Sequence, residues 1–283
     1  IHTILGSVTS KDLLENIFQK NNIDIIFHAA AYKHVPIVED NIIESTKNNI
    51  IGMLNLSEYA EKYKVKNFVL ISSDKAVRTT NIMGATKRIC ELILQAKSDL
   101  SKEIKYSMVR FGNVLDSSGS VFPLFRKQIE SGGPLTLTHK EITRYFMTIK
   151  EAAQLVIQSA SLSSHGDVFV LDMGEPIKII DLARFMIHSN GFVVADEETT
   201  SNKPQIEIKI TGLRPGEKLY EELIIEDNAE PTAHPKIMRA KDTFLNWNIL
   251  SNELDQIDTA IKNRDELKLR EVLMELAYYG QSR

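Results

Sequence analysis

The chain has 283 residues, 43% hydrophobic and 25% charged, the balance of one large or two modest folded domains rather than of a disordered or fibrous chain. A formal net charge of −4, with Lys and Arg scattered, argues against a nucleic-acid surface. The one cysteine, Cys90, excludes an internal disulfide and suits a reducing compartment.

Ile1 to Leu5 reads as a strand already under way, and Gly6-Ser7-Val8 leads into a helix over Leu13 to Lys20. Ile23 to Phe27 is a second buried strand, ending in His28-Ala29-Ala30-Ala31-Tyr32-Lys33-His34-Val35-Pro36. A helix follows from about Ile42 to Tyr63, interrupted near Gly52. Phe68-Val69-Leu70-Ile71 is short and β-branched enough for a strand buried on both faces. Ser72, Ser73, Asp74 and Lys75 come directly after it, at the carboxyl end of the strand, where open parallel sheets bind ligands. Asn81 then starts a helix on which Met83 and Lys87, at i and i+4, share a face. Tyr106 to Arg110 is a further strand, and the alternation of strands with long helices implies right-handed crossovers and a parallel α/β sheet.

From Phe111 the pattern changes. A turn-rich link through Ser118-Gly119-Ser120 enters a helix over Val121 to Ile129, and Pro134 to Thr138 reads as a short strand. An amphipathic helix over Lys150 to Ala160, a strand over Asp167 to Asp172 and a helix over Ile179 to His188 follow. Ala195 to Lys203 reads as a polar loop. Gly212 to Leu219 leads to a helix ending near Ile224, and Ser251 to Tyr279 has the spacing of two helices. No apolar run approaches the ~20 residues that span a bilayer and no signal peptide is visible, so the cytoplasm is the expected setting.

The strand-end hydroxyls followed by Met83-Gly84-Ala85-Thr86-Lys87 resemble the extended short-chain dehydrogenase/reductases, whose helix carries Tyr-x-x-x-Lys. Asp74-Lys75 with Met83 at the tyrosine position is similar to one branch, the nucleotide-sugar 4,6-dehydratases of bacterial polysaccharide biosynthesis that act on UDP-N-acetylglucosamine. The resemblance implies a Rossmann-like dinucleotide-binding domain over 1–115 and a mainly substrate-binding domain over 116–283, with segments about 140–172 partly returning to the first. It implies NAD or NADP as cofactor, a UDP-sugar as substrate, a homo-oligomer, and a place in capsule or O-antigen synthesis. A longer parent chain with transmembrane helices would put that work at the cytoplasmic face of the inner membrane.

One expected feature is not in the sequence. A dinucleotide-binding sheet opens with a strand, a Gly-x-Gly-x-x-Gly turn and a helix N-terminus that holds the pyrophosphate. None of the 13 glycines makes that pattern after a strand. Compared with the family, the chain reads as entering at the third strand, as a fragment or as a protein that lost its first βαβ unit.

In the resemblance, Ser73, Asp74, Lys75, Met83 and Lys87 form the catalytic set. Met83 cannot ionise, so the sugar's C4 hydroxyl proton must leave through Ser73, Asp74, Lys75 or Lys87, and Asp74 and Lys75 also supply acid and base for loss of water across C5–C6. The cofactor is expected against Ala29, Ala30, Ala31, Asn49, Ser72 and Lys87. Lys33, Asn113, Arg144, Arg214 and Glu217 are expected at the UDP-sugar, with Arg110 in the segment of Asn113. Ser7 stands where the family has an aspartate toward adenine. Each stretch also has a plainer reading: Ser-Asp-Lys as a cap turn, Met83 as core, the alanines as packing, and Arg214-Pro215-Gly216-Glu217 as a surface turn. Their joint occurrence favours the enzyme, with a UDP-sugar 4-epimerase or a non-catalytic sugar-nucleotide binder as alternatives. His28 and His34 lack a third ligand at useful spacing, so no metal is expected.

Overall fold

A computed structural model of the chain describes residues 1–195, 203–223 and 229–280. The chain divides into two compact units, one of Ile1–Phe111, Gln154–Asp172 and Glu222–Arg283, the other of Gly112–Ala153 and Met173–Glu221.

Unit 1 is a six-stranded sheet flanked by helices. In chain order its strands are β1 (Ile25–His28), β2 (Asn67–Ile71), β3 (Lys105–Arg110), β4 (Asp167–Leu171), β5 (Ala229–Pro231) and β6 (Ile237–Ala240). They lie in the order β1-β2-β3-β4-β6-β5, parallel from β1 to β4 and antiparallel from there on. Phe68, Val69 and Leu70 of β2 are at most 1% exposed, as a parallel strand covered on both faces requires.

Three helical features position the site. The helix α1 (Ile82–Leu100) is capped by the Asn81 side chain, which accepts the Gly84 N–H at 2.9 Å. From Ile82 to Ser98 every residue of α1 is buried, so its charged residues must find partners inside. The expected interruption near Gly52 is a π-turn, Lys47–Ile51, between the helices Ile42–Thr46 and Gly52–Lys62. A Cβ on Gly52 would come within 2.6 Å of Val8, so glycine there lets the 6–9 segment lie against the helix.

Unit 2 is built from two- and three-residue strands around helices Val121–Glu130 and Ile179–Ser189. Its core gathers Phe125, Ile129, Leu135, Leu137, Ile179, Ile187 and Ile206. Leu135–Leu137 pairs in parallel with Ile208–Ile210, Asn113–Val114 with Phe146–Met147, and Thr143–Arg144 runs antiparallel to Ile177–Lys178.

Five expectations change. The strand expected buried over Ile23 to Phe27 is β1, at the end of the sheet order, with Ile25 47% and Phe27 45% exposed. Ile1–Leu5 is exposed and forms no strand, because among the described residues none pairs with it. Residues 222–283 belong to unit 1, not to a substrate-binding half. Helices Trp247–Lys262 and Glu266–Ala277 bury Leu250, Ile257, Leu269 and Leu273 in the core that holds α1, and β6 bonds to β4. The segment that returns earlier is Gln154–Asp172, starting inside helix Ile149–Leu162. Residues 217–223 form no helix, since the turn at Arg214–Glu217 closes on itself with Glu217 N–H donating to Arg214 O at 3.0 Å; Ile224 lies outside the described residues. Of the loop expected over Ala195 to Lys203, residues 196–202 also lie outside them.

Candidate active site

At the carboxyl end of β2 the chain turns sharply. Ser73 caps a single 3₁₀ turn, Asp74–Ala76, its Oγ accepting the Lys75 N–H at 3.2 Å and donating to Asp74 Oδ1 at 2.8 Å. The Lys75 ammonium donates to the same Oδ1 at 3.0 Å. Asp74 is 1% exposed, and its Oδ2 accepts no hydrogen bond among the described residues. A buried carboxylate oxygen without a donor carries a desolvation penalty of about 1–3 kcal/mol, which a ligand hydroxyl would relieve. Glycine is required where α1 meets this turn, because a Cβ on Gly84 would sit 2.1 Å from Lys75 O.

Lys87 is buried and donates to Ile71 O at 2.7 Å, the last residue of β2. Burial pulls its pKa down, against the pull of Cys90 and Glu91. Met83 is 3% exposed and packed in the core, with no group to titrate. His28, at the end of β1, is held neutral: burial first and the Lys87 charge second bring its pKa down to about 4.

The loop after β1 is fixed from the π-turn. Asn49 Oδ1 accepts the Tyr32 N–H at 2.8 Å while its Nδ2 donates to Tyr32 O and to Thr86 Oγ1, each at 3.0 Å. Asn49 lies in the π-turn, and its amide ties that turn to the loop just after Ala29–Ala31. Lys33 is exposed.

Two expected contacts turn inward. The Ser72 hydroxyl donates to Glu91 Oε1 at 2.6 Å, in the core. Arg110 is fully buried and donates through Nε to Glu91 Oε1 at 2.8 Å and through a terminal nitrogen to Asp242 Oδ2. Glu91, Arg88 and Asp242 were not singled out from the sequence. The signal was there in α1, where Arg88 and Glu91 sit three apart on a helix with no polar face.

In unit 2, Arg144 and Glu217 come together. Arg144 donates to the carbonyls of Thr143, Lys218 and Leu219 at 2.7, 2.8 and 3.2 Å, and lies 3.5 Å from Glu217 Oε1. Glu217 also accepts from Thr138 Oγ1 at 3.2 Å and from the Arg214 N–H at 3.1 Å. Arg144 thus locks the turn, and the Arg214 side chain stays exposed. Asn113 is half-buried, its backbone N–H on Tyr145 O at 3.1 Å. Among the described residues no group of three or more His, Cys, Asp or Glu could hold a metal, and no helix is long and apolar enough to cross a membrane.

Comparison with known proteins fits this arrangement. EpsC of Bacillus subtilis (strain 168), a probable polysaccharide biosynthesis protein, is 48% identical over 250 residues, which cover 88% of this chain and 40% of EpsC. The inverting UDP-N-acetylglucosamine 4,6-dehydratase of Campylobacter jejuni serotype O:2 is 32% identical over 231 residues, 81% of this chain and 64% of that enzyme. The X-ray structure of Pen from Bacillus thuringiensis superposes with a TM-score of 0.74 at 32% identity, covering 89% of this chain and 80% of Pen. The chain therefore spans about two fifths of EpsC and less than two thirds of the dehydratase. Residues 1–242 match the family described as polysaccharide biosynthesis protein, and the chain is a member of that family.

Proposed function

We propose that the chain carries the reaction centre of a UDP-N-acetylglucosamine 4,6-dehydratase serving surface-polysaccharide synthesis. The observation that carries this is Asp74: a buried carboxylate at a strand end, one oxygen held by Ser73 and Lys75 and the other without a partner among the described residues. An epimerase needs no acid and base at C5–C6, whereas a dehydratase needs both.

The strand ends fit the nicotinamide half of NAD or NADP. Ala29–Ala31 leave room for a flat ring, and Lys87 can hold a ribose hydroxyl through ammonium hydrogens not used on Ile71. The cofactor would supply the hydride acceptor for C4 and the donor for C6. Asp74 gives its proton to the C6 hydroxyl as that group leaves as water, and Lys75 takes the proton from C5; a proton returns to C5 when the C5–C6 double bond is reduced. The 3.0 Å contact keeps the two groups side by side at the strand end. The C4 hydroxyl proton leaves through Ser73, Asp74, Lys75 or Lys87, since the Met83 thioether cannot take it. Unit 1 holds the cofactor. In unit 2 the exposed Arg214 suits a diphosphate with its planar fork, and Asn113 is a further candidate for the UDP-sugar; in unit 1 the exposed Lys33 is a candidate for its phosphates. Arg144 and Glu217 shape the turn that presents Arg214.

The test is product analysis with UDP-N-acetylglucosamine and NAD or NADP. Asp74→Asn and Lys75→Met should each abolish the 4-keto-6-deoxy product while UDP-sugar binding, read by calorimetry, survives. A C4 epimer as product would favour the epimerase. Sugar-nucleotide binding without tight dinucleotide binding would favour a non-catalytic binder.

A further inference from the structure

Four ionised groups that the proposed chemistry does not use share one buried cluster in unit 1. Arg88, Glu91 and Arg110 are fully buried and the Asp242 side chain is 5% exposed. Glu91 Oε2 accepts from Arg110 at 2.5 Å and from Arg88 at 3.2 Å; Asp242 Oδ2 accepts from both arginines; and Arg88 donates to Thr243 O at 2.8 Å. Two guanidiniums face two carboxylates, so the cluster is neutral. Burying four charges is a poor route to stability, because apolar residues of similar volume commonly do as well. What the charges add is direction.

Among the described residues one bond leaves the cluster toward the site: Ser72 Oγ to Glu91 Oε1, at 2.6 Å. Ser72 also donates its N–H to Val109 O at 2.8 Å, and Asp74 donates its N–H to Phe111 O at 3.2 Å. Val109, Arg110 and Phe111 thus hang the Ser73–Asp74–Lys75 turn from one stretch at the end of β3, with Arg110 acting through Glu91. We infer that Glu91, braced by Arg110, Arg88 and Asp242, is a positioning residue that fixes this turn by holding the Ser72 hydroxyl. Its catalytic consequence rests on the function proposed above; the structural part does not. Residue 242 lies more than 150 positions after the serine, so the segment following β6 is part of the site's support.

Glu91→Gln leaves two guanidiniums short of charge in the core and can unfold the chain, so Ser72→Ala carries the test. Losing a charge-assisted bond should speed amide exchange at Asp74 and Ala76 by about tenfold or more, with residues 67–71 unchanged. Misplacing the turn should lower kcat by roughly 10- to 100-fold, with KM for UDP-N-acetylglucosamine held, and Ser72→Thr should restore both readouts. Unchanged exchange at Asp74 and Ala76, or equal acceleration through residues 67–71, would overturn the inference. So would faster turn exchange with an unaltered kcat. If the wild-type chain forms no product, the functional proposal fails and the exchange pattern alone decides the positioning.

Discussion

Arginine and carboxylate meet in both units, and two of these meetings differ in kind. In unit 1, Arg88, Arg110, Glu91 and Asp242 are enclosed and pair mainly with each other. In unit 2, the Arg144 side chain is 11% exposed and Glu217 23%, and Arg144 gives its donors mostly to backbone carbonyls. The first cluster is set between long elements, α1 and β3. The second holds a turn that has no helix or long strand to hold it. Enclosed charge pairs fix elements that are already rigid; half-open ones take the place of secondary structure where there is little.

The contrast can be broken by removing one partner from each. Glu91→Ala leaves two buried guanidiniums short of a counter-charge and should cost about 3–5 kcal/mol of folding stability. Arg144→Ala loses hydrogen bonds that water can partly replace and should cost only about 1–2 kcal/mol. Denaturant midpoints for the two variants check this, and equal losses would erase the distinction.

A neutral group buried beside a charge sharpens it. His28 has a pKa of about 4 in the fold against an ordinary 6.5. Between those values the unfolded chain binds the proton and the folded chain does not, so the stability His28 contributes is present above 6.5 and is lost as pH falls toward 4. The gap corresponds to about 3 kcal/mol. His28→Gln should flatten the acid limb of stability against pH by that order, measured by denaturation at pH 4.5 and 7; parallel curves would contradict a neutral buried imidazole. Smaller again, Gly84→Ala pushes a methyl group into the Lys75 carbonyl and should cost about 1–3 kcal/mol, with exchange rising at residues 74–76. No loss would mean that α1 does not close on the turn.

Much of unit 1 was legible in the sequence. The strand Phe68–Ile71, the cap at Asn81, and the hydroxyl, carboxylate and ammonium at the strand end follow from periodicity and position, because a parallel sheet leaves little freedom in where a strand end goes. The break near Gly52 was legible too, though not that a π-turn makes it. What stayed hidden depended on distant partners. Ser72 reads as a cofactor contact until Glu91 is seen to claim its hydroxyl, and Arg110 reads as a substrate contact until Asp242 appears beside it. The strands Ala229–Pro231 and Ile237–Ala240 were not anticipated: prolines at 231 and 235 weaken a strand signal, while an edge strand tolerates Pro231. In unit 2 the paired strands are two or three residues long, too short for alternation to show.

The most direct measurement is of product from UDP-N-acetylglucosamine, followed by NMR, with the wild-type chain and Asp74→Asn in parallel under saturating NAD or NADP. The account predicts a 4-keto-6-deoxy sugar nucleotide from the wild type and none from the variant, with UDP-sugar binding retained in both. The same product at an undiminished rate from Asp74→Asn would contradict it.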